Sequence, residues 1–301
     1  MDNTSNNFPL VSIIMNCYNG ELYLKQSIES ILSQNYKNWE LIFWDNQSND
    51  KSANIFKSYK DKRLKYFYAP KHTFLYEARN LAIKKSKGEF IAFLDVDDFW
   101  DKEKLELQIP LFKDPEVGVV YGNHFIVNEK LKTKKIFLKK NKPRGYILDN
   151  LLKNYCTSLL TLVVRKIFLD AYKLPFDNSF HIMGDFDLMI KMACKYKFDC
   201  VGKPIATYRI HSKNESLLKK SMQVEEFKNW QRSMANHPVI SKNKNFSNIN
   251  KIINNLEIAN LILEDKLQAA KIKIKEMPLS FKKIKYLIAL LLPSSLVKKF
   301  I

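Results

Sequence analysis

Apolar segments of strand length alternate with helical segments through the first third of the chain. Strand-like segments occupy residues 11–15, 39–44, 64–68 and 90–94, and helical segments occupy 20–34, about 51–59 and 75–85. Strands that alternate with helices at this spacing predict an α/β fold, a mostly parallel sheet with helices on both faces. Ligands of such sheets bind beyond the carboxyl ends of the strands.

The remaining chain is less regular and strongly basic. Its pattern predicts a helix over 102–112 and a short strand over 206–210. The net charge is +19, yet residues 1–120 are nearly neutral, with 16 basic and 17 acidic residues. The excess therefore lies in residues 121–301, where it could face anionic lipid, an anionic acceptor or nucleic acid. Because these residues are mostly lysines without a nucleic-acid-binding motif, we expect no nucleic-acid partner. From about residue 217 the sequence is helical, which predicts a main domain over 1–215 and a helical C-terminal extension over 216–301.

The cysteines and the first residues indicate the compartment. Cys17, Cys156, Cys194 and Cys200 form no Cys-x-x-Cys pair or Cys/His cluster, so neither a zinc site nor a disulfide framework is expected. The polar start, residues 1–7, lacks the pattern of a signal peptide. Both features predict a reducing, cytoplasmic location.

Three carboxylates directly follow the fourth apolar segment. Asp95, Asp97 and Asp98 would repel one another beside an apolar sheet, at a cost that a divalent cation removes. Oxygen ligands suit Mg²⁺ or Mn²⁺, which also bind substrate phosphates. The alternative is a polar turn in which one Asp caps the next helix. An EF-hand is a poor match because Trp100 stands where that loop needs glycine.

Three further residues lie near the expected ligand-binding edge, each with a structural alternative. Tyr18 follows the first strand and could stack on a base, or simply begin a helix. Asp45 follows the second strand and could hold a base or ribose, or only form a turn. Arg79 could hold a diphosphate, or pair at the surface with Glu77 or Glu40.

Two later segments carry candidate catalytic groups. Asp185 and Asp187 lie at a predicted helix start, where either could be a general base or merely a partner of the helix dipole. His211 closes a predicted strand two residues after Arg209. It could be a ligand or a phosphate contact, although a single His is usually structural.

Together these segments resemble family 2 glycosyltransferases of the GT-A fold over about residues 9–215. The common pieces occur in the family's order, and the ordered set is specific; they are residues 18–20, 30–34, 39–42, 45–50, 78–80 and 88–98. The resemblance implies an inverting, metal-dependent enzyme. It would transfer a hexose or N-acetylhexosamine from a nucleotide diphosphate sugar, expected to be UDP-linked, to a glycan or lipid-linked glycan acceptor. Bacterial surface-glycan assembly is the expected process, by family analogy alone.

The resemblance also implies roles by position. Tyr18, Asp45, Arg79 and Asp95 would bind the nucleotide sugar, with Asp97 and His211 on a Mn²⁺ or Mg²⁺ ion; Asp98 could share the metal role. Asp185 would be the catalytic base, with Asp187 as the alternative, because Gly184 stands where the family has a glutamate. The nucleotide-sugar half would be about 9–120 and the acceptor half about 121–215. An inactive glycan- or nucleotide-binding module and a basic nucleic-acid-binding protein are the alternative functions, and nucleotidyl transfer could use a similar sheet and metal.

The C-terminal tail predicts a membrane-surface contact. Residues 279–301 combine apolar positions with five lysines and contain no acidic residue. The apolar run 286–292 is far shorter than the ~20 residues needed to span a bilayer. An apolar face with basic flanks suits an anionic leaflet, so we expect a peripheral protein at the inner face of the plasma membrane. The alternative is a terminal helix packed on the protein's own core or on a second subunit.

Overall fold

The computed structural model describes residues 8–138 and 142–292. The chain divides into two compact units, Met1–Ser212 and Lys213–Ile301. The division falls three residues before the predicted domain boundary, and the functions assigned to the two halves of the main domain stay predictions. The predicted tail positions 293–301, the start at 1–7 and residues 139–141 lie outside the described residues.

One sheet forms the centre of the first unit, with the order β3-β2-β1-β4-β8-β6-β9-β5 and β7 paired to β6. Its strands, within the described ranges, are β1 Val11–Cys17, β2 Trp39–Asp45, β3 Leu64–Tyr68, β4 Phe90–Phe93, β5 Phe99–Trp100, β6 Val117–Asn128, β7 Thr133–Ile136, β8 Val163–Arg165 and β9 Lys197–Ile210. Strands β1 to β4 pair in parallel. Antiparallel pairs enter through β8, β7 and β5, while β6 and β9 are parallel.

Helices cover both faces of this sheet, as the alternating sequence predicts. Alternate residues of β1 and β2 pack with Leu24, Ile28 and Ile31 of the first helix in one apolar core, and the third helix packs on β1 and β2. The helices of this unit are α1 Leu24–Leu32, α2 Ser52–Ser58, α3 Leu75–Ile83, α4 Lys104–Gln108, α5 Leu148–Lys153, α6 Lys166–Asp170 and α7 Gly184–Ala193. The predicted α/β class with a mostly parallel sheet is confirmed.

Several predicted elements differ in extent from the observed ones. The single helix expected over 102–112 is α4 followed by a 3-10 helix, Ile109–Lys113, because Pro110 cannot donate a backbone hydrogen bond there. Strand β9 begins nine residues before the predicted strand 206–210. Gly202 and Pro204 interrupt the strand pattern at the point where its register with β6 shifts. The short elements α5, α6 and β5 were not predicted.

The second unit is helical, as predicted for the C-terminal extension. Its described helices are α8 Glu215–Leu218, α9 Lys220–Met234, α10 Asn248–Leu263, α11 Leu267–Glu276 and α12 Phe281–Ala289. Helices α10, α11 and α12 share a small apolar core that includes Ile258, Ile274 and Tyr286. Within the described residues, no helix has the length and apolarity required to cross a membrane.

Candidate active site

The candidate residues gather at the carboxyl ends of β1, β2 and β4, where the strand order reverses between β1 and β4. Tyr18 follows β1 directly, and its side chain is 54% exposed. Its ring lies 4.5 Å from the ring of His72, centroid to centroid. The His72 Nδ1 atom is 2.9 Å from the Asn46 carbonyl oxygen. Because a carbonyl can only accept, Nδ1 is the donor and Nε2 of the neutral ring remains an acceptor. Because more than half of Tyr18 is exposed, it offers an open ring surface at this edge.

Asp45 is fully buried at the end of β2. Its Oδ1 accepts from the Ser48 backbone N–H at 2.8 Å, and its Oδ2 accepts from the Tyr66 hydroxyl at 2.6 Å. These bonds hold the loop that follows β2. The role in nucleotide binding that the family resemblance implies for Asp45 stays a prediction. In this structure the carboxylate stabilises the loop after β2.

Arg79 pairs with Asp95 rather than with either surface partner considered for it. The Arg79 Nη2 atom donates to Asp95 Oδ1 at 2.6 Å, with the arginine side chain 4% exposed and the aspartate 44% exposed. Glu77 instead lies near Lys71, and Glu40 accepts from Ser12. Asp95 thus keeps an accessible carboxylate, whose orientation is fixed by a buried guanidinium. Any contact of Arg79 with a nucleotide would have to involve this pair.

Asp97 and His211 meet at the same edge. Asp97 Oδ2 lies 3.0 Å from His211 Nε2. Burial raises the pKa of Asp97, and the neighbouring Asp95 carboxylate raises it further. One carboxylate oxygen and one imidazole nitrogen are a donor set that fits a divalent cation, because carboxylate oxygen suits Mg²⁺ and Mn²⁺ and imidazole suits transition metals. Among the described residues, no group of three or more His, Cys, Asp or Glu side chains could hold a metal ion alone. A bound cation would therefore need substrate phosphates or water as further ligands.

A network of hydrogen bonds centred on Arg209 holds Asp97 and His211 in place. The Arg209 backbone N–H donates to Asp98 Oδ1 at 2.8 Å, and Arg209 Nε donates to the Asp97 carbonyl at 2.9 Å. Glu129 accepts from Arg209 Nη1 at 2.8 Å and from the Tyr23 hydroxyl at 2.6 Å. The Tyr23 ring lies 4.8 Å from that of His211. Because Asp98 is buried and engaged by β9, it supports the loop and does not face outward with Asp97.

The two carboxylates at the start of α7 have different surroundings. Asp187 has only 1% of its side chain exposed and pairs with Lys191 at 2.6 Å. Asp185 is partly exposed, and its Oδ1 lies 3.5 Å from the Tyr76 hydroxyl. Burial raises the pKa of the Asp185 carboxyl, whereas the Arg79 guanidinium lowers it. Of the two, Asp185 is the group that a substrate hydroxyl could reach.

Gly184, the departure from the family's Glu-Asp pair, packs against Tyr76. A Cβ atom at this position would lie 2.8 to 2.9 Å from three atoms of the Tyr76 ring. That ring is itself only 2% exposed, so it has little room to move. The close packing of Gly184 on Tyr76 therefore explains why no glutamate stands here. A side chain at 184 would displace the tyrosine that contacts Asp185.

Several residues of the site were not identified from the sequence. Tyr23 and Glu129 hydrogen-bond to each other beside His211 and the Asp-x-Asp loop. Tyr76 contacts Asp185. Tyr23 could have been noticed as an aromatic residue five positions after Tyr18 at a helix start. Glu129 carries no such signal, since it reaches the site only through the pairing of β6 with β9.

Known proteins share this sequence pattern. Residues 12–170, more than half of the 301, match the family model described as Glycosyl transferase family 2. The chain belongs to glycosyl transferase family 2. This family 2 member is 38% identical over 167 residues to the Escherichia coli protein UDP-Glc:alpha-D-GlcNAc-diphosphoundecaprenol beta-1,3-glucosyltransferase WfgD, covering 56% of the chain and 64% of WfgD. It is 30% identical over 160 residues to the putative teichuronic acid biosynthesis glycosyltransferase TuaG of Bacillus subtilis, covering 52% and 63%. The chain therefore spans just under two thirds of either relative.

Solved structures of related fold extend the comparison. The S. aureus TarS fragment 1-349 in complex with UDP-GlcNAc superposes with a TM-score of 0.65 at 17% identity, covering 96% of this chain and 87% of that one. The mannosyltransferase PcManGT from Pyrobaculum calidifontis, in complex with GDP-Man and Mn²⁺, gives a TM-score of 0.56 at 16% identity, covering 74% and 64%. These likenesses confirm the expected GT-A fold of the family 2 glycosyltransferase.

Proposed function

We propose that this protein is an inverting glycosyltransferase that uses a divalent cation and moves a sugar from a nucleotide diphosphate sugar to an acceptor hydroxyl. The observation that carries the proposal is that one guanidinium, that of Arg79, interacts with both Asp95 and Asp185. The guanidinium hydrogen-bonds to Asp95 and acts electrostatically on Asp185. The carboxylate proposed for donor binding and the candidate base thus both interact with Arg79, which also lies over the Tyr76 ring.

Asp185 would take the proton of the acceptor hydroxyl while that oxygen attacks the anomeric carbon. Its raised pKa suits the role, because a general base works best when its pKa approaches the operating pH. Asp97 and His211 would hold the cation, which supplies charge stabilisation for the departing diphosphate. Asp95 would orient the ribose or donor sugar, and Tyr18 would stack on the base. A single displacement of this kind inverts the anomeric configuration.

For the substrates, we propose a UDP-sugar donor and an acceptor sugar carried on a lipid diphosphate, within bacterial glycan biosynthesis. Support comes from the name of WfgD, which specifies UDP-glucose and GlcNAc-diphosphoundecaprenol. TuaG, named for teichuronic acid biosynthesis, supports the process. The UDP-GlcNAc complex of TarS supports the nucleotide. UDP-glucose is therefore the first donor to try.

The stereochemistry of transfer tests this proposal. We expect incubation with UDP-glucose, Mn²⁺ and a GlcNAc-diphospholipid analogue to release UDP and give a β-glucoside, the anomer opposite to the α-linked donor. Product NMR reads the anomeric coupling directly, and a panel of other nucleotide sugars serves as a control for donor choice. An α-linked product would exclude single displacement. Donor binding without turnover across the panel would instead support the inactive binding module.

We also propose that one face of α12 rests on an anionic membrane surface, where such an acceptor would be found. Tyr286 and Ala289 point into the core shared with α10 and α11, and the Tyr286 hydroxyl donates to the Asn255 carbonyl at 2.9 Å. Leu290 and Leu292 also pack against this core. Six other apolar residues in and around α12 are exposed; they are Leu279, Phe281, Ile284, Leu287, Ile288 and Leu291. Lys282 and Lys285 lie among them. An exposed apolar face with basic neighbours fits the headgroup boundary of an anionic leaflet.

Serine at Phe281 and Leu291 together should weaken binding to anionic vesicles by at least about tenfold, because burying each side chain contributes roughly 1.5–3 kcal/mol. Both side chains are more than four-fifths exposed, so the variant should fold normally. Liposome flotation measures binding, with Leu22→Ser and Ile167→Ser as matched controls on the first unit. Equal binding by the variant and the full wild-type chain would contradict the proposal. Self-association detected by ultracentrifugation and lost in the variant would assign the face to a second copy of the chain.

A further inference from the structure

Phe74 is an exposed aromatic residue at the edge of the candidate active site. It is the residue immediately before α3, and its side chain is 59% exposed. Its ring meets the His181 ring edge-on, with 4.3 Å between centroids. The role of neither ring is explained by nucleotide binding, metal binding or base catalysis as proposed above.

Two short segments run side by side here and connect this ring pair to Asp185. Phe74 contacts His181 at one point, and two residues further along Tyr76 contacts Gly184 and Asp185. In sequence, Phe74 is therefore two residues from Tyr76, and His181 is four residues from Asp185. Phe74 and His181 consequently lie within a few residues of the candidate base, on the carboxyl-edge side of the sheet.

The segment that carries His181 is held firmly against α3. Asn80 Nδ2 donates to the Phe176 carbonyl at 2.7 Å and to Asn178 Oδ1 at 2.8 Å, while Asn80 Oδ1 accepts from the Phe176 backbone N–H at 3.1 Å. The Tyr76 and Phe176 rings stack with 5.4 Å between centroids. A ring surface that is fixed in advance loses little conformational entropy when it binds a ligand.

We propose that Phe74, with His181 behind it, is the platform on which the acceptor sugar ring stacks while its hydroxyl reaches Asp185. The proposal rests on the glycosyl transfer proposed above and adds the position of the acceptor. A pyranose has an apolar face of C–H groups that can lie on an aromatic ring, and its hydroxyls point outward to hydrogen-bonding groups. The occupant is therefore a pyranose, such as the GlcNAc unit of the proposed lipid-linked acceptor.

The donor sugar is the competing occupant of this platform, and kinetics separate the two. Phe74→Ala should raise the acceptor KM by about five- to tenfold, the range expected from the loss of one aromatic stacking contact. The donor KM and the acceptor-independent hydrolysis of the donor should stay within about twofold. Phe74→Trp, which keeps an aromatic face, should retain most of the acceptor affinity. A rise in donor KM alone would overturn the proposal.

Phe8 provides a matched control. It is 57% exposed and also meets another ring, that of Tyr36, edge-on at 5.7 Å, but it precedes β1 at the opposite edge of the sheet. Phe8→Ala should therefore leave both KM values unchanged. Saturation-transfer NMR with the acceptor analogue gives a measurement that does not need turnover. Binding that Phe74→Ala weakens by a similar factor, in a protein without transferase activity, would uphold the platform and reject the proposed function. No binding by the wild type, or equal binding by both, would overturn the platform.

Discussion

Replacing Asp185 with asparagine is expected to lower turnover by at least about a hundredfold, the low end for general acid–base catalysis. The amide keeps the shape of the side chain and can still accept from the Phe186 backbone N–H, as Asp185 Oδ1 does at 2.9 Å. It cannot take a proton from the acceptor hydroxyl. Nucleotide affinity, measured by UDP titration calorimetry, should therefore stay nearly unchanged while kcat falls.

Asp187→Asn is the comparison that tests the assignment. Asp187 is buried and paired with Lys191, so its replacement should lower thermal stability but leave the folded enzyme nearly fully active. If Asp187→Asn abolishes activity in a folded protein and Asp185→Asn does not, the base has been assigned to the wrong carboxylate.

The pH dependence has a defined direction. Because the pKa of Asp185 is raised, its active, deprotonated form is lost as pH falls through a value above that of an ordinary aspartate. The acidic limb of kcat/KM should therefore lie at higher pH than an exposed carboxylate would give, and it should disappear in the residual activity of Asp185→Asn.

The parallel half of the sheet could be predicted because its strands are short apolar runs separated by helices. The Asp-x-Asp cluster was recognisable because three carboxylates directly follow such a run. Strand β9 was only partly predicted, because Gly202 and Pro204 interrupt its pattern and its pairing with β6 is non-local. Local sequence shows short apolar runs and the residues that follow them, but it does not show which distant strands pair.

Contacts among the site residues were harder to predict than the residues themselves. Arg79 was expected at the nucleotide or at a surface carboxylate, and its partner is Asp95, sixteen residues later. Asp98 could not be separated from Asp97 by sequence, because both follow the same strand. What separates them is the Arg209 backbone, which reaches Asp98 from β9. Phe74 and Tyr76 gave no signal, because their significance depends on the segment leading into α7, about a hundred residues away.

Removal of the divalent cation is expected to abolish transfer, and Mn²⁺ or Mg²⁺ should restore it. The expectation rests on the Asp97–His211 pair, the raised pKa of Asp97 and the like charge of Asp95 beside it. A cation relieves that repulsion and stabilises the departing diphosphate by several kcal/mol, so the loss of rate should be at least about a hundredfold. The measurement is transfer after EDTA treatment and dialysis, followed by readdition of each metal. Full activity of metal-stripped enzyme would contradict the proposed metal role.

Asp97→Asn should reproduce the effect of metal removal in a folded protein. The amide is a weaker ligand than the carboxylate, so Mn²⁺ affinity in the presence of UDP should fall by about tenfold or more, as read by electron paramagnetic resonance. Two variants separate this role from general effects of charge. Asp101→Asn removes a nearby exposed carboxylate, directly after β5, and should bind Mn²⁺ normally. Asp98→Asn should do the same, because burial already raises the pKa of Asp98 well above its usual range and an amide oxygen can still accept from Arg209. If Asp98→Asn loses Mn²⁺ and Asp97→Asn keeps it, the buried carboxylate is the ligand, and the loop must open before the donor binds.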